Sequence, residues 1–354
     1  MLFYDPACRA PYDTRTLRTS ALGGTESTLV RVADALGAEV VQHNRTESWD
    51  RYHAPRRDPG ITHVVVNRDS RALPAVRELY PRARVLLWLH DRLRAGSKRG
   101  RRLARSAPLL RELAVTVVCV SDTQRRDVEG ALEAIGVPVS SGQVRALTIY
   151  NPIDDCLAPQ DIPYEPAKLV FFSSPNKGLA YALDAFRALK HQMPDMKLLV
   201  GNPGYKQRSL APIAGVEYLG PQPQERIHAE VRTALATFSP NFVIPETFGL
   251  VFAESQALGT PVLTHDCGAA LEVVGDPAQV LPVTRGQRLY EQLTGGLAPR
   301  LRAGPARVAA SLGVFEPYIT TLRAWRSGAR PVTRPDSRFR LAGVIERWRV
   351  LLSN

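Results

Sequence analysis

The chain has 354 residues, a net charge of +12 at pH 7 and 4 cysteines. That length predicts about two domains of ordinary size. No run approaches the roughly 18–20 apolar residues of a membrane span, and the N-terminus has no basic-then-apolar signal pattern. Cys8, Cys119, Cys156 and Cys267 are scattered without metal-like spacing and read as free thiols in a reducing cytosol. The positive excess favours phosphate-rich or anionic partners. Zinc-finger spacings and single-strand RNA-binding signatures are absent, so no nucleic-acid partner is expected.

A short strand over 2–4 is followed by a polar, turn-rich loop over 5–22. Gly23-Gly24-Thr25-Glu26 then opens a helix whose apolar stripe includes Leu29, Val32, Ala33 and Leu36. Two glycines before a helix either form a simple turn or let backbone N–H groups approach a ligand. No Gly-x-Gly-x-x-Gly follows the first strand, so a dinucleotide-binding reading lacks its main support. Strands over 39–42, 63–67, 84–89, 116–120 and 146–150, with helices between several of them, predict a doubly wound α/β sheet.

Trp88-Leu89-His90-Asp91 falls at the carboxyl end of a strand, where such sheets bind ligands. A histidine there is equally a satisfied core residue. Ser121 also ends its strand. From 92 to 111 there is no acidic residue, while Arg92, Arg94, Lys98, Arg99, Arg101, Arg102, Arg105 and Arg111 are basic. That run reads either as a solvated helix face or as a contact with anionic lipid headgroups, at about 1 kcal/mol per basic residue.

A Pro-containing linker over 155–167 separates this half from a second. There a strand over 168–172 leads into Ser173-Ser174-Pro175-Asn176-Lys177-Gly178 and a helix over 179–190. A strand–loop–helix with Lys177 at its mouth suits phosphate, though an exposed lysine is the commoner explanation. Strands over 197–200, 216–219 and 280–283 are expected, with a Gly201-Asn202-Pro203-Gly204 turn after the first. A buried strand over 233–238 precedes a loop holding Glu246, Phe248 and Gly249, then a helix over 250–258 opened by Leu250. Gly259 stops that helix and 261–264 returns as a strand. Glu254 sits within the helix's apolar stripe beside Leu250, Val251, Ala257 and Leu258. A buried carboxylate must find donors or a cation, and ligand hydroxyls or a core Arg would serve. Glu246 precedes a helix N-terminus, which favours anions such as phosphate. The rest is mostly helical over 280–329, a linker over 331–336, and a last amphipathic helix over 339–352.

Glu246 and Glu254, with seven residues between them that include Phe248-Gly249-Leu250, resemble the donor-site signature of family 4 retaining glycosyltransferases of the GT-B fold. Thr264 to Glu272 resembles that family's next segment, with Ala269 at its second glycine. Gly23-Gly24, Trp88 to Asp91 and Tyr150 to Asp154 resemble further family segments. One departure is Phe172, where relatives carry an Arg five residues before the lysine.

The resemblance implies two Rossmann-like domains facing across a cleft. The first, 1–154 with the last helix 337–354 crossing back to it, would take the acceptor; the second, 155–336, would take a nucleotide-sugar. His90, Lys177 and Glu246 are then the expected catalytic group. Gly23, Gly24, Ser173, Ser174, Asn202, Phe248, Gly249, Leu250 and Glu254 are expected around the donor. Arg99, Arg101 and Arg102 would meet the membrane or the acceptor. No cofactor or metal is expected, and Asp154-Asp155 lacks the spacing of a metal loop. The implied activity is retaining, metal-independent hexosyl transfer to a glycan or lipid-linked acceptor, in bacterial polysaccharide or lipopolysaccharide synthesis. The implied location is the cytoplasm, peripheral to the inner membrane face. A GT-B nucleotide-sugar epimerase and a catalytically degenerate binding protein remain as alternatives.

Overall fold

The computed structural model describes residues 1–20, 22–93, 96–202, 212–294, 309 and 311–353. Contacts group Met1–Leu17, Gly24–Pro152 and Arg338–Asn354 into one unit, and Arg18–Gly23 with Ile153–Ser337 into a second.

In the first unit, β-branched and aliphatic runs form β1 (Leu2–Asp5), β2 (Glu39–Gln42), β3 (Tyr52–His53), β4 (His63–Asn67), β5 (Arg84–Leu89), β6 (Thr116–Cys119) and β7 (Arg145–Thr148). They make one parallel sheet in the order β3-β2-β1-β4-β5-β6-β7. Near-continuous burial along β1, β4 and β5 follows from helices on both faces of a parallel sheet. The helices are α1 (Thr14–Thr19), α2 (Gly24–Ala35), α3 (Leu73–Leu79), α4 (Lys98–Arg105), α5 (Ala107–Glu112) and α6 (Asp122–Glu133). The stretch expected as a loop over 5–22 therefore contains α1, a helix too short to show periodicity.

The C-terminal helix Leu341–Ser353 packs in this same unit. Trp348 meets Phe3 and Trp88, with ring centroids 5.8 and 5.0 Å apart. Ser121 has a structural task. Its hydroxyl accepts from the Gln124 N–H, while the Gln124 side chain accepts from the Val120 N–H, a reciprocal cap on α6.

The second unit has β8 (Glu165–Phe171), α7 (Leu179–Gln192), β9 (Lys197–Asn202), β10 (Val216–Pro221), α8 (Gln224–Arg232), β11 (Ala234–Phe238), α9 (Leu250–Ala257) and β12 (Val262–His265). After these come α10 (Ala270–Val274), β13 (Val280–Leu281), α11 (Arg285–Thr294) and α12 (Glu316–Ala324). Its parallel sheet runs β10-β9-β8-β11-β12-β13. A buried hydrogen-bonded group ties its helices to the sheet. His265 Nδ1 meets the Leu281 carbonyl at 2.9 Å and Nε2 meets the Tyr318 hydroxyl at 2.6 Å. Burial without a counter-charge lowers the His265 pKa to about 4. The two sheets and their helices constitute the two Rossmann-like halves of a GT-B type fold.

Candidate active site

Strand order reverses between β8 and β11 in the second unit. Loops leaving the carboxyl ends of two such strands diverge to opposite faces and leave a crevice, the usual ligand position in an open α/β sheet. The loop after β8 carries Lys177 and the loop after β11 carries Glu246. Their side chains meet, Lys177 Nζ donating to Glu246 Oε2 at 2.7 Å. Lys177 remains 42% exposed and Glu246 only 10%.

Local sequence explains why these loops sit so close. Asn241 shapes the second loop, its Oδ1 accepting from the Val243 and Ile244 N–H groups and its Nδ2 donating to the Ile244 carbonyl. Gly178, at φ +99°, lies against that side chain; a Cβ there would stand 3.1 Å from Asn241 Cβ. Phe242 and Tyr181 add an edge-to-face contact at 4.8 Å. Behind Glu246 runs the loop after β12. Glu246 N–H donates to the Cys267 carbonyl at 3.3 Å, and the Ala269 N–H donates to the Glu246 carbonyl at 2.9 Å. A Cβ on Gly268, at φ +77°, would lie 2.1 Å from the Glu246 carbonyl oxygen, so only glycine fits.

Gly249, also left-handed, is the N-cap of α9 and offers no side chain to its first-turn N–H groups. Leu250 begins the helix and Phe248 is buried just before it. On α9, Glu254 is 4% exposed. Its Oε1 accepts from Gln224 Nε2 at 2.5 Å, and its Oε2 lies 3.8 Å from His228 Nε2. The core arginine considered from the sequence is thus a glutamine and a histidine of α8. Ser173 and Ser174 are buried between β8 and Lys177, and the Ser174 hydroxyl bonds Asn176. Asn202 closes β9, while Pro203 and Gly204 lie outside the described residues. The second unit therefore gathers Lys177, Glu246 and Gly249 on one set of loops, with Glu254 on the helix that follows.

The first unit holds the remaining expected residues except Gly23, which groups with the second. Its strand order reverses between β1 and β4. Arg68 follows β4 at φ +64°, unusual for a residue with a side chain. Its guanidinium pairs with Glu26 in the first turn of α2 at 3.0 Å. Sequence reading missed Arg68; its place directly after a buried strand was the available signal. His90 follows the neighbouring β5 and meets Trp88 at a tilt of 51°, with centroids 4.4 Å apart. Burial first, then the Arg68 charge, holds the His90 pKa well below the ordinary histidine value, so the ring is neutral near pH 7. Gly24 is the first residue of α2, and Gly23 is buried just ahead of it.

The basic run is partly neutralised by acids outside it. Arg92 pairs with Asp127 at 2.6 Å and Arg99 with Asp91 at 3.0 Å. Arg101 donates to the Gly96 carbonyl. Arg94 lies outside the described residues.

Residues 164–288 match the family described as glycosyl transferases group 1, a span that contains Lys177, Glu246 and Glu254. The phosphatidyl-myo-inositol mannosyltransferase of Mycolicibacterium smegmatis is 28% identical over 197 residues, covering 53% of this chain and 50% of that protein. The D-inositol 3-phosphate glycosyltransferase of Nocardia farcinica is 44% identical over 68 residues, 19% of this chain and 15% of that one. The chain spans about half the length of the first of these, and less of the second. Among solved structures, Anabaena Alr3699/HepE in complex with UDP-glucose aligns over 99% of both chains with a TM-score of 0.62 at 16% identity, a likeness of fold.

Proposed function

We propose that this protein is a retaining glycosyltransferase that moves a hexosyl group from a nucleotide-sugar to an acceptor hydroxyl. The observation that carries the reading is the Lys177–Glu246 pair at the sheet's switch point, ahead of α9, inside the segment that matches glycosyl transferases group 1. The UDP-glucose held by a protein of like fold, and the glycosyltransferase names of the partial relatives, support it.

The chemistry follows from charge. When the bond between the sugar's anomeric carbon and the diphosphate oxygen breaks, negative charge builds on phosphate. Lys177 and the first-turn N–H groups of α9 stabilise it, most effectively where water is excluded. That cationic help allows transfer without a divalent ion. Glu246, fixed through its backbone by Gly268 and Ala269, accepts from sugar hydroxyls and holds Lys177 in place. Ser173 and Ser174 supply donors where Phe172 replaces an arginine. Glu254 binds ribose hydroxyls. On the acceptor side, neutral His90 hydrogen-bonds the sugar. The acceptor oxygen attacks the anomeric carbon from the face the diphosphate leaves, and its proton passes to a departing phosphate oxygen, which retains configuration.

The acceptor is a glycan or a lipid-linked glycan precursor of bacterial polysaccharide or lipopolysaccharide, met at the cytoplasmic membrane face with α4 toward anionic lipid. No helix among the described residues is long and apolar enough to cross a membrane. A thermal-shift panel of nucleotide-sugars tests the reading. A donor at 100 times its dissociation constant stabilises by about 2.7 kcal/mol. Product analysis must then show a retained anomeric linkage. A panel with no shift and no transfer to any polyprenyl-linked or inositol-containing acceptor overturns it.

A further inference from the structure

The two oxygens of Glu254 have different neighbours on α8. Gln224 and His228 are one turn apart on that helix, and both face Glu254. Gln224 satisfies Oε1. His228 Nε2 stands 3.8 Å from Oε2, beyond hydrogen-bond reach. The His228 side chain is 12% exposed, and its Nε2 is buried without a hydrogen-bond partner among the described residues. His53 and His265, by contrast, each use both ring nitrogens. A buried imidazole nitrogen that bonds nothing sacrifices hydration with no return.

One oxygen about 2.8 Å from both atoms would span that gap. It must accept from Nε2–H and donate to a carboxylate, which a ligand hydroxyl or the water it displaces does and a phosphate or carbonyl oxygen does not. The position suits a nucleoside. Gln224 starts α8 just beyond the end of β10, so the pair stands toward the carboxyl ends of the strands.

We infer that His228 and Glu254 together clamp one ribose hydroxyl of a bound nucleoside diphosphate, His228 donating to its oxygen and Glu254 accepting its proton. Gln224 is the positioning residue that fixes the carboxylate for this task. The inference rests on the donor-site reading above and adds a second residue to ribose recognition.

The test is calorimetric titration of the full chain with UDP, 2′-deoxy-UDP and 3′-deoxy-UDP, and with the matching GDP series. Wild type should prefer the ribonucleotide over one deoxy analogue by about tenfold, which is about 1.4 kcal/mol. His228→Ala should cut that preference to about twofold, chiefly by weakening the ribonucleotide. His228→Gln, which keeps a donor, should restore part of it. A full tenfold preference in His228→Ala overturns the inference while leaving the donor site standing. Binding by wild type that ignores the deoxy change also overturns it. No binding of either series by wild type removes the donor-site reading, and the clamp with it. If the variants melt below the assay temperature, the wild-type His228 ring ¹⁵N resonance decides. It should shift on adding the preferred ribonucleotide and not with its 2′,3′-dideoxy analogue; equal shifts overturn the clamp.

Discussion

At the switch point of the first unit, the loop after β4 holds Arg68 in a left-handed conformation and pairs it with Glu26 at 3.0 Å. At the switch point of the second, the loop after β8 holds Lys177, paired with Glu246 at 2.7 Å, and the left-handed residue is the adjacent Gly178. The surroundings differ more than the pairs. Left-handed Gly136 and Gly142 of the first unit have nothing within 4 Å of an added Cβ, whereas Gly268 of the second is pressed onto the Glu246 backbone. The first unit fixes its charged residue by one main-chain bond, Arg68 N–H to the Trp88 carbonyl at 2.8 Å, and by the Glu26 side chain. The second interlocks the loops after β11 and β12 through their main chains and adds the loop after β8 through side chains, so small changes at Gly268 are transmitted directly to Glu246.

Glycine substitutions break this comparison most strongly. Gly268→Ala adds backbone overlap to an unfavourable φ and should destabilise by roughly 3 kcal/mol or more. Gly136→Ala adds only the backbone term, about 1 kcal/mol. Urea midpoints of the two variants compare them. Equal losses would mean the loops are not interlocked.

On the proposed reading, Lys177→Ala acts on the leaving group. Glu246 is only 10% exposed, so removing its cation should also lower the melting temperature by a few degrees. Turnover should fall about 100-fold, roughly 2.7 kcal/mol, with donor affinity falling less, because leaving-group charge is greatest in the transition state. A turnover within a few-fold of wild type would remove Lys177 from the diphosphate.

Acid should act on two buried histidines with depressed pKa values, His90 in the first unit and His265 in the second. Above pH 6.5 neither the native nor the unfolded chain protonates them appreciably. Between pH 6.5 and the depressed native value, about 4 for His265, the unfolded chain binds more protons, so stability falls as pH falls. For His265 the loss at pH 5 is about 2 kcal/mol, and His90 acts in the same direction. His265→Gln should flatten the acid limb. An unchanged limb would show that other groups govern it.

Much of the sheet was legible because parallel strands buried on both faces read as short apolar runs; 39–42, 63–67 and 84–89 coincide with β2, β4 and β5. β3, two residues long, carries no such signal. The site was legible where one local motif carries it, as with Glu246, Gly249 and Glu254. It was not where the partner is distant in sequence: Gln224 lies 30 residues from Glu254, and Arg68 lies 42 from Glu26. Asn241 was hidden for another reason. Its role is to shape a loop, and no periodicity marks that.

The basic helix α4 gives the smallest expected effect per residue. The acid-free run suggested uniform positive charge, but Arg92 and Arg99 are paired with Asp127 and Asp91 from elsewhere in the first unit. Lys98, Arg101, Arg102 and Arg105 carry the remaining positive charge of α4, at about 1 kcal/mol each near an anionic bilayer. The protein should sediment with acidic liposomes and not with neutral ones. Salt should release it, since the Debye length shrinks from about 10 Å at 0.1 M to about 3 Å at 1 M. Arg101→Gln with Arg102→Gln should weaken binding by about 2 kcal/mol, close to 30-fold, and Arg99→Gln should add little. Transfer to a soluble acceptor analogue should survive all three changes, because Lys177 and Glu246 lie in the other unit. Equal partitioning onto neutral and acidic liposomes would make α4 a solvated face, and the acceptor would then have to reach the enzyme without help from this surface.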